Sequence, residues 1–87
     1  MKEICICAAV KTTKGVPFPG KRHGDCILLI RELGFKVSRS PKSQGFFTNN
    51  GRYVTREQGR KLQDAAGIKS ADPEGYRGTT LFSEDLY

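Results

Sequence analysis

The chain has 87 residues and a formal net charge of +6, with fifteen Lys and Arg against nine Asp and Glu, and three cysteines. That length holds one modest core, so residues 1–87 are read as a single domain without a long internal linker. No apolar stretch reaches membrane-spanning length, and the run from Ile4 to Val10 is too short for a signal peptide, so the chain reads as soluble and intracellular with no membrane partner. Cys5 and Cys7 at C-x-C spacing plus a lone Cys26 make neither a disulfide framework nor a zinc pattern, so no metal and no cofactor are expected.

Glu3 to Lys11 is nearly all apolar and is bounded by Thr12-Thr13-Lys14-Gly15, which reads as a central strand covered on both faces. The next segment, Gly15 to Gly20, carries two prolines and is expected to be a structured connection outside any ladder, with Phe18 tucked beneath it. Apolar positions 26, 27, 30 and 33 then make a helical stripe, with Asp25 as N-cap, Gly34 as stop, and Leu28 and Leu29 widening the buried face. Residues 35–43 are basic, serine-rich and broken by Pro41, and read as a mobile surface loop with a short edge strand at its start. Its Arg39 and Lys42 could close over an anion, although solvated loop charges are the commoner case, and Lys2, Lys11, Lys14 and Lys36 read as solubilising charge.

Gln44 to Thr48, Asn49-Asn50-Gly51 and Arg52-Tyr53-Val54 predict a hairpin on a type I′ turn. Thr55-Arg56-Glu57-Gln58 is a capping box that opens a helix to Ala66, with Leu62, Ala65 and Ala66 as its apolar stripe and Gly67 as its stop. Gly59 inside it costs about 1 kcal/mol against alanine, which a close backbone approach to the sheet or a ligand would explain. A turn at Asp72-Pro73-Glu74-Gly75 leads to a tail that Leu81, Phe82, Leu86 and Tyr87 are expected to dock. The elements describe a small α+β domain: a three-stranded, mainly antiparallel sheet in the order β-α-β-β-α, covered by two helices, with a docked C-terminal tail.

Residues 1–61 hold thirteen Lys/Arg against four Asp/Glu, while residues 62–87 hold two against five. Such an asymmetry fits an electropositive pocket for phosphate. Both predicted helices begin among cations, Arg22 and His23 before the first, Arg52 and Arg56 around the second. A helix N-terminus already carries partial positive charge, so cations there are locally unfavourable unless an anion is expected. If both starts share one edge of the sheet, they converge on a ligand with two phosphates. Arg22, His23, Asp25, Thr48, Arg52 and Arg56 are the candidate ligand-binding residues. Were the pocket also to cut a phosphodiester without metal, His23 would need Glu57, Tyr53 or Asp25 as its acid-base partner; His23, Glu57 and Tyr53 are the candidate catalytic set.

The segments Arg22-His23-x-Asp25-x-Ile27, Gln44-Gly45-Phe46-x-Thr48-x-x-Gly51-Arg52-Tyr53-Val54-x-Arg56-Glu57, Ala66-Gly67 and Leu81-Phe82-Ser83-Glu84-Asp85-Leu86-Tyr87 together resemble a family of small, largely uncharacterised tailed-phage and prophage proteins. The second helix departs from that family's usual Arg-Glu-Glu-Ala start. The resemblance implies a phage-encoded protein acting in the cytoplasm of an infected bacterial host. By analogy with other small phage proteins, it implies an anti-defence role: sequestration of a cyclic nucleotide immune signal, or its cleavage by a metal-independent phosphodiesterase. Two other classes stay open: a nucleic-acid-binding module with Phe46, Phe47 or Tyr53 as stacking surface, which the acidic tail disfavours, and a protein inhibitor of a host enzyme. A homo-oligomer is compatible with each.

Overall fold

The computed structural model describes residues 2–68 together with Leu81 and Leu86. Strands β1 (Cys5–Lys11), β2 (Pro17–Gly20), β3 (Gln44–Thr48) and β4 (Tyr53–Thr55) pair antiparallel in the spatial order β2-β1-β3-β4, and helices α1 (His23–Glu32) and α2 (Arg56–Ala65) cover one face. The sheet therefore has four strands, not three. The additional strand is β2, in which Pro17 pairs with Lys11 and Pro19 with Ala9. Prolines two residues apart take the same alternate position, and on an edge strand that position is the outward one, where a missing N–H costs no ladder bond and blunts the edge against further pairing.

Residues directly opposite in a ladder share a face, and neighbours along a strand alternate. Ala8, Phe46 and Val54 form one row toward the helices, whereas Cys7, Phe47 and Tyr53 form the next row on the far face. α1 closes a cluster of Ala8, Val10, Cys26 and Ile30, flanked by Phe18, Ile27 and Val37. α2 closes the other half, where Cys5, Phe46, Val54 and Leu81 pack with Leu62 and Leu86. β1 is central as expected, yet helices lie on one face only. A register shift between Cys5 and Cys7 leaves Ile6 in a bulge, 50% exposed.

α1 begins two residues before the predicted cap. Arg22 is the N-cap, and Asp25 sits at the third helical position, where its Oδ2 accepts the Arg22 backbone N–H at 3.1 Å. Leu28 and Leu29 do not widen the buried face: they are 61% and 38% exposed, because α1 rests on only two strands through Cys26 and Ile30. α2 has the predicted capping box, with Gln58 N–H donating to Thr55 Oγ1 at 3.2 Å and Thr55 N–H to Gln58 Oε1 at 3.0 Å. Its buried residues are Gly59, Arg60 and Gln63 rather than the expected alanines, since Gln63 Oε1 takes the Cys5 N–H at 2.9 Å and draws that side of the helix inward. The close approach anticipated at Gly59 is present: a Cβ there would meet Cys5 Sγ and Leu81 Cδ2 at 3.1 Å and Phe46 Cδ2 at 3.2 Å.

The β3–β4 turn uses one left-handed residue, Gly51 (φ +80°), and among the described residues no non-glycine residue has positive φ. With Gly51 N–H bonded to Thr48 O and Thr48 N–H to Arg52 O, the connection is a three-residue loop ending in a glycine bulge, not the two-residue type I′ turn. Residues 35–43 are not a free loop either. Val37 bridges to Thr12, Thr13 N–H donates to Lys36 O at 2.9 Å, Ser38 N–H donates to Lys11 O at 3.1 Å, and Ser43 Oγ donates to Ser40 O at 2.6 Å beside a short 3₁₀ turn, Pro41–Ser43. Serines that bond their own backbone rigidify what composition alone marks as mobile. In the tail, Leu81 is 1% exposed and Leu86 packs against the core. The Asp72 to Gly75 turn, Phe82 and Tyr87 lie outside the described residues.

Candidate functional site

His23 is buried at the start of α1, where the chain turns off β2 and crosses toward β3. Its Nε2 lies 2.8 Å from Gly45 O, and its ring stands edge-on to Phe46 with centroids 5.1 Å apart. A carbonyl oxygen only accepts, so this nitrogen carries the proton. Gly45 in turn pairs with Thr55, the N-cap of α2, which puts both helix starts at the same level of the sheet. The cationic heads around them nevertheless diverge.

Arg56 reaches across the start of α2 to Leu81 O at 3.1 Å and Gln44 Oε1 at 2.8 Å, while its own carbonyl accepts the Leu81 N–H. It docks the tail. Arg52, at the hairpin end, grips Glu3 with Nε to Oε2 at 2.7 Å and Nη2 to Oε1 at 2.8 Å, and Thr48 Oγ1 donates to the same carboxylate at 2.7 Å. The Arg52 guanidinium, with help from Thr48, holds the Glu3 carboxyl down at about 2. Thr48 and Arg52 thus belong with Glu3, away from His23. Asp25 serves the α1 cap, and Glu57 is exposed in the first turn of α2, where a negative charge suits the helix dipole.

Tyr53 lies on the far face of the sheet from His23, so the two do not meet across one ligand. Its ring covers Gly45, Oη donates to Lys42 O at 2.7 Å, and Lys11 Nζ sits 4.4 Å above the ring centroid. Burial pushes the phenol up to about 12, which keeps it a donor. Burial likewise raises the Cys5 thiol to about 12 and the Cys26 thiol to about 11, too high for nucleophiles.

An open recess lies elsewhere among the described residues, beside the C-terminal end of α1. Gly34 (φ +82°) stops the helix, Phe35 N–H bonds back to Ile30 O, and the chain then runs along Thr12 and Thr13. Thr13, Arg31, Phe35, Lys36, Val37, Ser38 and Arg39 line a cleft of about 730 Å³. Phe35 is 53% exposed, with its ring braced against Phe18 at 5.8 Å. Among the described residues Arg31, Lys36 and Arg39 make no ion pair, and no carboxylate lines the cleft. A half-exposed aromatic ring and three cations thus share the cleft. Sequence reading named Arg39 and treated Lys36 as solubilising; the available signal was Phe35 and cations at 36, 39 and 42, recurring directly after the helix-stopping Gly34.

Among the described residues no group of three His, Cys, Asp or Glu is placed to hold a metal ion, and no helix is long and apolar enough to cross a membrane. No curated protein and no solved structure matches the chain. A family model does match it, over residues 4–87, and the chain accordingly belongs to the family described as Phage T4 y16D protein.

Proposed function

We propose that this phage protein binds a small phosphate-bearing nucleotide in the Phe35 cleft and acts by withdrawing it from solution. The observation that carries the reading is the set of three cations, Arg31, Lys36 and Arg39, with no carboxylate among the described residues that line the cleft around a half-exposed phenyl ring. Guanidinium groups supply forked donors to phosphate oxygens, and a fixed ring offers a base a stacking partner without further ordering cost. The cleft replaces the Arg22, His23, Arg52 and Arg56 constellation as the preferred site, because Arg52 and Arg56 already have structural partners.

Sequestration is favoured over cleavage. Phosphodiester cleavage calls for a general acid and a general base near the phosphate, and the described residues that line the cleft include no imidazole, carboxylate or thiol. Inside an infected bacterium, the ligands that best fit this chemistry and a phage protein's interest are the cyclic nucleotide signals of anti-phage defence. The test is incubation with a panel of cyclic dinucleotides and cyclic ADP-ribose isomers, with chromatography before and after heat denaturation. Ligand that disappears and returns intact on heating supports sequestration; new products would restore the phosphodiesterase reading. If every compound stays free throughout, nucleotide binding is refuted.

A further inference from the structure

A second, smaller recess of about 170 Å³ adjoins the cleft, lined by Lys11, Thr12, Thr13, Gly15, Ser38, Ser40, Lys42 and Ser43. The two share Thr13 and Ser38 and flank the Thr12–Val37 bridge, so they open on either side of one narrow backbone ridge. Among the described residues the recess holds two lysines and, like the cleft, no carboxylate. Its walls are fixed: Thr12 Oγ1 accepts the Lys14 and Val16 N–H groups at 3.3 Å, Ser40 Oγ accepts Lys42 N–H at 3.4 Å, and Ser43 Oγ closes on Ser40 O. Lys11 is steered by the Tyr53 ring. Neither the Lys42 ammonium nor the Thr13 hydroxyl on the ridge has a hydrogen-bond partner among the described residues.

Resting on the nucleotide reading above, we infer that the ligand carries at least two linked phosphates: one held by Arg31, Lys36 and Arg39 with its base on Phe35, the next held across the ridge by Lys11 and Lys42. Mononucleotides fill only half of this arrangement. Cyclic dinucleotides and short linear oligonucleotides share the required chemistry.

The experiment is calorimetric titration of the protein and of its Lys42→Ala and Arg39→Ala variants with adenosine 5′-monophosphate, a cyclic diadenylate and a linear triadenylate without terminal phosphates, the last two carrying two phosphates each. Both substitutions leave the fold's bonds intact, since Lys42 contributes only backbone groups to the Ser40 and Tyr53 contacts and Arg39 makes no side-chain bond among the described residues. Lys42→Ala is expected to weaken binding of two-phosphate ligands about tenfold, the scale of one lost charge-assisted contact, and to leave the monophosphate unchanged. Arg39→Ala is expected to weaken all ligands that bind. The salt dependence should be steeper for the two-phosphate ligands than for the monophosphate, by about 0.7 in log–log slope per added phosphate contact. Preference for the cyclic over the linear probe assigns a cyclic signal, and the reverse assigns an oligonucleotide. Equal affinity for mono- and diphosphate probes, or no effect of Lys42→Ala on the latter, overturns the two-recess inference while sparing the cleft. Absence of binding by all three probes overturns the nucleotide reading itself.

Discussion

Gly45 pairs with Ala9 on one side and Thr55 on the other, its carbonyl meets His23, and replacing it by alanine is expected to destabilise the protein by about 3 kcal/mol or more. A Cβ at this position would be driven into the Val54 carbonyl oxygen and would meet Tyr53 Oη at 2.7 Å and Cζ at 2.8 Å. The requirement is for space, since Gly45 is not among the positive-φ glycines. Overpacking against adaptable side chains costs about 1–3 kcal/mol. Here the obstacle is backbone in the β3–β4 ladder, so relief means parting the strands and the cost lies at or above the top of that range. For a domain of this size each kcal/mol lowers Tm by about 4–8 °C, which gives a loss of about 12–24 °C. Gly59→Ala is the internal control. Its Cβ would press on the ends of Cys5, Leu81 and Phe46 side chains at 3.1–3.2 Å, and the helix propensity gained, about 1 kcal/mol, offsets much of that pressure. Thermal unfolding followed by circular dichroism measures both. If Gly45→Ala melts within about 4 °C of the parent, or Gly59→Ala falls as far as Gly45→Ala, the close-approach reasoning is wrong.

Other changes probe the remaining long-range contacts. Arg56→Ala removes the donors to Leu81 O and Gln44 Oε1 and should release the tail, seen as faster proteolysis and loss of amide protection at Leu81 with an overall cost of about 1–3 kcal/mol; an unchanged digestion pattern would count against this docking role. Glu3 is held at about 2 in the folded chain against 4.5 for an unperturbed glutamate, so its contribution is complete above about 4.5 and is lost as pH falls through about 2. Glu3→Gln should therefore flatten the acid limb of the stability profile across that window, and an unaltered limb would assign acid sensitivity to other groups. Cys5 and Cys26, buried and raised to about 12 and 11, should resist a thiol reagent until the chain unfolds, so titration should count three thiols in denaturant and at most one in the native protein.

Elements whose signals lie within a few residues were legible. The Thr55–Gln58 box, the Gly34 and Gly67 stops and the hairpin at Asn49 to Gly51 each draw on neighbours along the chain. Local rules erred where a tertiary partner changed their meaning. Pro17 and Pro19 argue against a strand except at an edge, and only the sheet order reveals the edge. The apolar Leu28 and Leu29 read as core, yet α1 covers two strands and leaves them outside. Of the cations at the helix starts, Arg52 and Arg56 at the second have partners far away in sequence, Glu3 and Leu81, where no local pattern points.

By itself, then, the sequence determined a small, basic α+β chain, where its second helix is capped and how both helices stop, and membership of a phage protein family, because composition, capping and turn chemistry are short-range properties. The tertiary structure alone decided which cations are spent in holding the chain together and which three stand around Phe35, because antiparallel register brings together residues that sequence distance keeps apart.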